Sequence, residues 1–152
     1  MTGFPLPEPM RAALQAARDA AARGEVPVGA VVTLHGRIVA TSANAPRALN
    51  DPTAHAEVLA IRAAAATLGR ERLEGCHLWV TLEPCAMCAG AISHARLARL
   101  IYAAADPKGG AVEHGPRWFG QPTCHHRPEV LSGMGEGEAA ALLRDFFRAR
   151  RS

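Results

Sequence analysis

Helix-like and strand-like stretches alternate along this chain, and that alternation limits its fold more than any other feature. Residues 8–23 set Leu14, Ala17, Ala20 and Ala21 at helical spacing and stop at Gly24. The valine-rich run VPVGAVVTL (26–34) and RIVATSA (37–43) read as a hairpin turning at His35-Gly36. An irregular loop (44–52) leads to a second helix over 53–68, closed by Gly69. HLWVTL (77–82) is short and lacks strict alternation, as a strand covered on both faces would. A third helix opens at Pro84 and runs to 97. A strand (99–105), a Gly/Pro-rich stretch (106–128), a fifth strand (129–133) and a terminal helix (138–151) follow. This order predicts an α/β sandwich, an antiparallel hairpin joined to strands reached by helical crossovers. With no repeat or linker visible, residues 1–152 are expected to form one domain.

Two helix starts carry the chemistry. One is His55-Ala56-Glu57; the other is Pro84-Cys85-Ala86-Met87-Cys88, about 30 residues on. Proline favours the first helical position, so Pro84 is expected to start its helix with Cys85 and Cys88 on one face of the first turn. A CxxC pair alone is compatible with a redox motif, half of a structural zinc knot, or core cysteines. The redox version belongs after the first strand of a thioredoxin-like pattern, which is not where this pair lies. A Cys₄ knot needs a second close pair, and Cys76 and Cys124 are far apart. Adding His55 gives three ligands, the count of an open catalytic zinc site with water in the fourth position. Glu57, two residues from His55, need not be a ligand but is placed to reach that water.

Composition narrows the partners. No run approaches a membrane span, and no basic-then-apolar leader opens the chain, so a cytoplasmic protein with reduced thiols and no membrane partner is expected. Net charge is +3, carried by sixteen arginines and one lysine, Lys108. Arginine suits bidentate phosphate contacts, although a compositional bias explains the count equally well.

The segments EVPVGAV (25–31), NDPTAHAE (50–57), VTLEPCAMCAGAI (80–92) and DFFRARR (145–151) together resemble the cytidine/deoxycytidylate deaminase superfamily. Within it they look like the tRNA-specific adenosine deaminases, which convert a wobble adenosine to inosine. The resemblance implies a three-layer α/β/α cytidine deaminase-like fold around a central mixed five-stranded sheet. It implies one Zn²⁺ per subunit on His55, Cys85 and Cys88, with a bound water or hydroxide. Glu57 would move protons from that water to purine N1 and to the departing ammonia. Asn44, Val28, Leu82 and the backbone N–H near Ala56 would hold the base. Asp106 and Lys108, with Gly110 in a D-x-K-x-G stretch, and Arg148, Arg150 and Arg151 of the terminal helix would meet the tRNA anticodon stem-loop. A homodimer is implied by resemblance alone.

Residues 112–126 (VEHGPRWFGQPTCHH) depart from the family pattern. Trp118 and Phe119 there can stack on bases or pack the loop. Cys124, His125 and His126 look like metal ligands in composition, but consecutive residues rarely converge on one ion. Because loops after this strand govern substrate choice, a free-base or nucleoside deaminase of the same fold is the alternative reading. A noncatalytic zinc-stabilised RNA-binding module is a third, and it would have no use for Glu57.

Overall fold

A computed structural model describes residues 5–151, with the Arg151 side chain outside the described set. Strands β1 (Gly29–Leu34), β2 (Arg37–Ala43), β3 (Cys76–Leu82), β4 (Arg99–Ala104) and β5 (Glu129–Ser132) form one sheet in the order β2-β1-β3-β4-β5. β1 pairs antiparallel with both β2 and β3, and β3, β4 and β5 run parallel, so the sheet is mixed as expected. The hairpin turns on His35 and Gly36 at φ 51° and 78°, the left-handed pair that a two-residue hairpin matched to strand twist requires.

The helices are α1 (Glu8–Ala22), a single turn α2 (Pro46–Leu49), α3 (Ala56–Leu68), α4 (Ala86–Ala95) and α5 (Glu136–Arg151). Strand alternation divides the sheet's side chains between two layers. Ala30, Val32, Leu78, Val80, Leu100 and Tyr102 pack with Ala56, Ala60 and Ala64 of α3 and Ala89 and Ile92 of α4. Val31, Ile101 and Ala103 face Met10, Ala13 and Leu14 of α1 and Ala139 of α5. Each fully buried aliphatic side chain contributes about 1.5–3 kcal/mol. Small residues bring the layers close: a Cβ on Gly29 would sit 2.0 Å from the Ala13 carbonyl oxygen. The result is the three-layer α/β/α arrangement around a five-stranded sheet.

Four departures from the sequence reading have identifiable causes, and α5 also starts two residues early, at Glu136 rather than 138. β1 starts at Gly29 rather than 26, since Pro27 has no N–H for a ladder. The 44–52 loop contains α2, whose Arg47 and Ala48 N–H groups are capped by the buried Glu25 carboxylate at 3.3 and 2.8 Å. α3 begins at Ala56 rather than 53, because Asp51 Oδ1 accepts from the Thr53 N–H (2.9 Å) and hydroxyl (2.7 Å), fixing a turn there. α4 runs from Ala86 to Ala95, not from Pro84 to 97: Arg96 ends it in the left-handed conformation, and Pro84 lies outside it.

Candidate metal and catalytic site

Two helix N-termini converge on one spot. His55 is the N-cap of α3 (φ −72°, ψ 151°) and Cys85 the N-cap of α4 (φ −74°, ψ 178°), both extended, so each side chain stands just outside its helix. Cys85 is thus not inside the first turn, as Pro84 at the first helical position would have put it. Instead the Pro84 carbonyl accepts the Ala111 N–H at 2.9 Å, binding this turn to a distant loop. Cys88, in the first turn of α4, is buried.

His55 Nδ1 lies 3.6 Å from Cys85 Sγ and 3.5 Å from Cys88 Sγ. All three donor atoms fall within 4.8 Å of one another, and among the described residues this is the group able to hold a metal ion. A tetrahedral zinc with nitrogen at about 2.05 Å and sulfur at about 2.3 Å has N···S edges of about 3.6 Å. The donor set fits zinc in both chemistry and size. The partial positive charge at the two helix ends also favours thiolate. The Cys88 thiol hydrogen-bonded to it lowers the Cys85 thiol to about 5, with burial opposing and His55 assisting. Cys88, donating that bond and desolvated, is pushed up.

Glu57, in the first turn of α3, is 4% exposed and faces the same cluster. Burial pushes its carboxyl up to about 7, with its own backbone N–H and the Cys88 thiol opposing. A buried carboxyl raised toward neutrality beside these sulfurs and the imidazole can take and return protons at physiological pH.

Asn44 Oδ1 accepts the Ala56 N–H at 2.8 Å, while the Asn44 N–H donates to the Val28 carbonyl at 3.0 Å. The Ala56 N–H, placed near the base by the resemblance, is here bound to Asn44, since the N-cap His55 brings no side-chain hydrogen bond. What Asn44 keeps for a ligand is its amide N–H₂. Val28 is buried at 4% in the core shared with α3 and α4, and Leu82 is partly buried between both layers.

The expected RNA-facing residues split into two groups. Lys108 and Arg148 line one groove of about 490 Å³ with Arg144 and Phe147, which is 45% exposed. Arg150 lies 3.8 Å over the Phe146 ring and lines a smaller cavity with Asn44 and Arg47. Asp106 differs: its Oδ1 accepts from the Lys108 and Gly109 N–H groups at 3.2 and 2.9 Å, so its carboxylate shapes the loop. Arg151 is expected at the same helix end, but its side chain lies outside the described residues.

The divergent loop packs. Phe119 is buried and Trp118 lies against the core in a short 3₁₀ turn, Trp118–Gly120. The Cys124 thiol donates to the His126 carbonyl (3.2 Å), and His126 Nε2 donates to the Leu97 carbonyl (2.6 Å).

One residue inside the family-like segment VTLEPCAMCAGAI (80–92) has no role assigned from the sequence. Glu83, immediately before Pro84-Cys85, has a side chain with no exposure and accepts from the Asp106, Val112, Glu113 and His114 N–H groups and from His114 Nδ1. Burial pushes its carboxyl up, but these donors outweigh it and hold it below the ordinary carboxylate range.

The profile of the cytidine and deoxycytidylate deaminase zinc-binding region matches residues 7–104. A tRNA-specific adenosine deaminase of Agrobacterium fabrum is 61% identical over 142 residues, spanning 93% of each chain. A solved structure from work on A-to-I editing by tRNA:A34 deaminases at the wobble position superposes with TM-score 0.88. It is 60% identical, over 89% of this chain and 98% of its own. The guanine deaminase of Bacillus subtilis superposes with TM-score 0.63 at 31% identity, over 95% and 92%.

Proposed function

This chain belongs to the cytidine and deoxycytidylate deaminase family, and on that premise we infer that it hydrolytically deaminates the wobble adenosine of tRNA to inosine, releasing ammonia. The observation that carries the reading is the buried Glu57 carboxyl facing the His55, Cys85 and Cys88 donor cluster. The 61% identity to a tRNA-specific adenosine deaminase selects the substrate. The likeness to a guanine deaminase, at half that identity, supports the fold and the chemistry rather than a free-base substrate.

His55, Cys85 and Cys88 would hold one zinc ion, which when bound would supply a water acidic enough to ionise near neutral pH. Glu57 takes a proton from the attacking water and delivers it to N1 of the adenine. It then carries the second water proton to the exocyclic nitrogen, which leaves as ammonia while C6 keeps the oxygen. Water is consumed and ammonia released, one for one. Asn44, its oxygen held by the Ala56 N–H, offers its amide N–H₂ to an acceptor on the base. Val28 and Leu82 wall the base pocket and exclude bulk water. Lys108, Arg148 and Arg150 meet phosphates of the anticodon loop, with Arg151 beyond them and Asp106 shaping the Lys108 turn. A loop base reaches such a pocket at modest unstacking cost, which a duplex base does not.

The working unit is a homodimer of single-domain subunits. Its support is the outer surface of α3 and α4, where Val58, Ile61, Ala91 and Ala95 line a depression rimmed by Arg62, Glu71 and His94, and Met87 is 38% exposed. No helix among the described residues is long and apolar enough to cross a membrane. A tRNA substrate and free thiols fit a cytoplasmic enzyme.

The test is an incubation of purified chain with tRNA bearing adenosine at the wobble position, beside free adenosine, cytidine and guanine. Inosine in the tRNA alone is the expected result. Turnover of a free base without tRNA editing would sink the reading.

A further inference from the structure

Glu83 closes the gap between the cysteine turn and the face assigned above to tRNA. It follows β3, two residues before Cys85, and its carboxylate is sealed from solvent. Oε1 accepts the Asp106 N–H at 3.0 Å and His114 Nδ1 at 2.8 Å. Oε2 accepts the Val112, Glu113 and His114 N–H groups at 3.1, 2.9 and 3.1 Å. A carboxylate has about four lone-pair sites and no donor, so five converging N–H groups suit it and no neutral side chain of the same size.

The loop is built around that group. A Cβ on Gly110 would lie 2.5 Å from Glu83 Cδ and 2.6 Å from the Asp106 carbonyl oxygen, so glycine is what lets the backbone close over the carboxylate. The Tyr102 hydroxyl donates to the Glu113 carboxylate, and the Trp118 backbone N–H donates to the Ala111 carbonyl at 2.7 Å, tying the loop's far side down. Held in this way, Pro107 and Lys108 form one wall of the groove whose other wall is Arg144, Phe147 and Arg148 of α5.

We propose that Glu83 is a positioning residue for tRNA binding: its carboxylate sets the 106–114 loop so that Lys108 stays opposed to the α5 arginines. This rests on the tRNA reading above. The hydrogen bonds to the Glu83 carboxylate come from residues 106–114 and none from the metal cluster, so its removal acts on binding more than on turnover.

The experiment compares wild-type holoenzyme with Glu83→Gln and His114→Ala. Zinc content, amide hydrogen exchange, and kcat and KM on an anticodon stem-loop are measured for each. Glutamine keeps one acceptor but turns an N–H₂ toward N–H donors. Charge-assisted hydrogen bonds are worth about one to two decades each, so Glu83→Gln should raise KM at least about tenfold, with kcat within about threefold. Zinc should remain bound, and exchange at residues 112–114 should accelerate. His114→Ala, losing one of the five bonds, should move KM and exchange the same way by a smaller factor. If Glu83→Gln does not fold, His114→Ala decides.

Unchanged KM and exchange would overturn the proposal. So would loss of zinc and kcat at constant KM, which would assign Glu83 to the cysteine turn instead. If the wild type turns over no stem-loop, the tRNA reading itself falls and takes the substrate half of the inference with it. Accelerated exchange would then still uphold the anchoring half.

Discussion

Replacing Glu57 with glutamine should cut deamination by orders of magnitude and, in the metal-free chain, make the protein more stable at alkaline pH. The carboxyl titrates at about 7 in the fold against an ordinary 4.5, because burial disfavours its charged form. One pH unit is about 1.4 kcal/mol, so keeping Glu57 ionised costs the metal-free fold about 3 kcal/mol. The folded chain holds this proton more tightly than the unfolded chain does. Stability is therefore lost as pH rises from 4.5 through 7; the whole cost is present at pH 8 and almost none at pH 4.5. Glutamine removes the ionisation and leaves the size unchanged. Thermal unfolding of chelator-treated wild type and Glu57→Gln should differ by roughly 6–12 °C at pH 8, given about 2–4 °C per kcal/mol for a chain of this size. The difference should close toward pH 4.5. An offset equal at both pH values would refute the desolvation argument. With zinc restored, the variant should retain the metal and lose activity by about 10²–10⁴-fold, the usual worth of a positioned acid-base group.

Asn44→Asp keeps an oxygen for the Ala56 N–H but removes the amide donor. Its melting temperature should stay near wild type while kcat/KM falls about tenfold or more, whereas Asn44→Ala should lower both. Exchanging Arg148 and Arg150 for glutamine should flatten the dependence of log Kd on log salt by about 0.7 for each phosphate no longer neutralised, read from stem-loop titrations at several salt concentrations. Gly29→Ala would drive a methyl to 2.0 Å from the Ala13 carbonyl oxygen. Separating α1 from β1 should cost about 1–3 kcal/mol in denaturant unfolding, with the metal site intact.

What the sequence reveals depends on how local each cause is. His55, Glu57, Cys85 and Cys88 stand out because spacing along the chain identifies them, and the fold then brings the His55, Cys85 and Cys88 donor atoms to within 4.8 Å. The element order was legible for the same reason, since each strand and helix carries its own period. Helix starts were less so. Pro84 has the residue type of a first helical position, yet its carbonyl is bound to the Ala111 N–H, a partner no local rule supplies. Thr53 and Ala54 have helical composition, but Asp51 holds them in a turn. Glu83 and Glu25 were invisible as anchors, because the N–H groups they accept lie more than twenty residues away. A glutamate at a strand end predicts solvent, and only long-range closure of the 106–114 loop buries it. Asp106 reads as a substrate-facing group by position, while its carboxylate is bound to its own turn.

The central claim is that this site adds water across C6 of a tRNA wobble adenosine, with Glu57 moving the protons. It is tested most directly by running the zinc-loaded enzyme on tRNA in heavy-oxygen water. Mass spectrometry of the wobble nucleoside, with ammonia release, should show one heavy oxygen in inosine for each ammonia from the wild type and neither from Glu57→Gln. Heavy inosine from that variant at the wild-type rate, or none from wild type that converts free guanine, would contradict it.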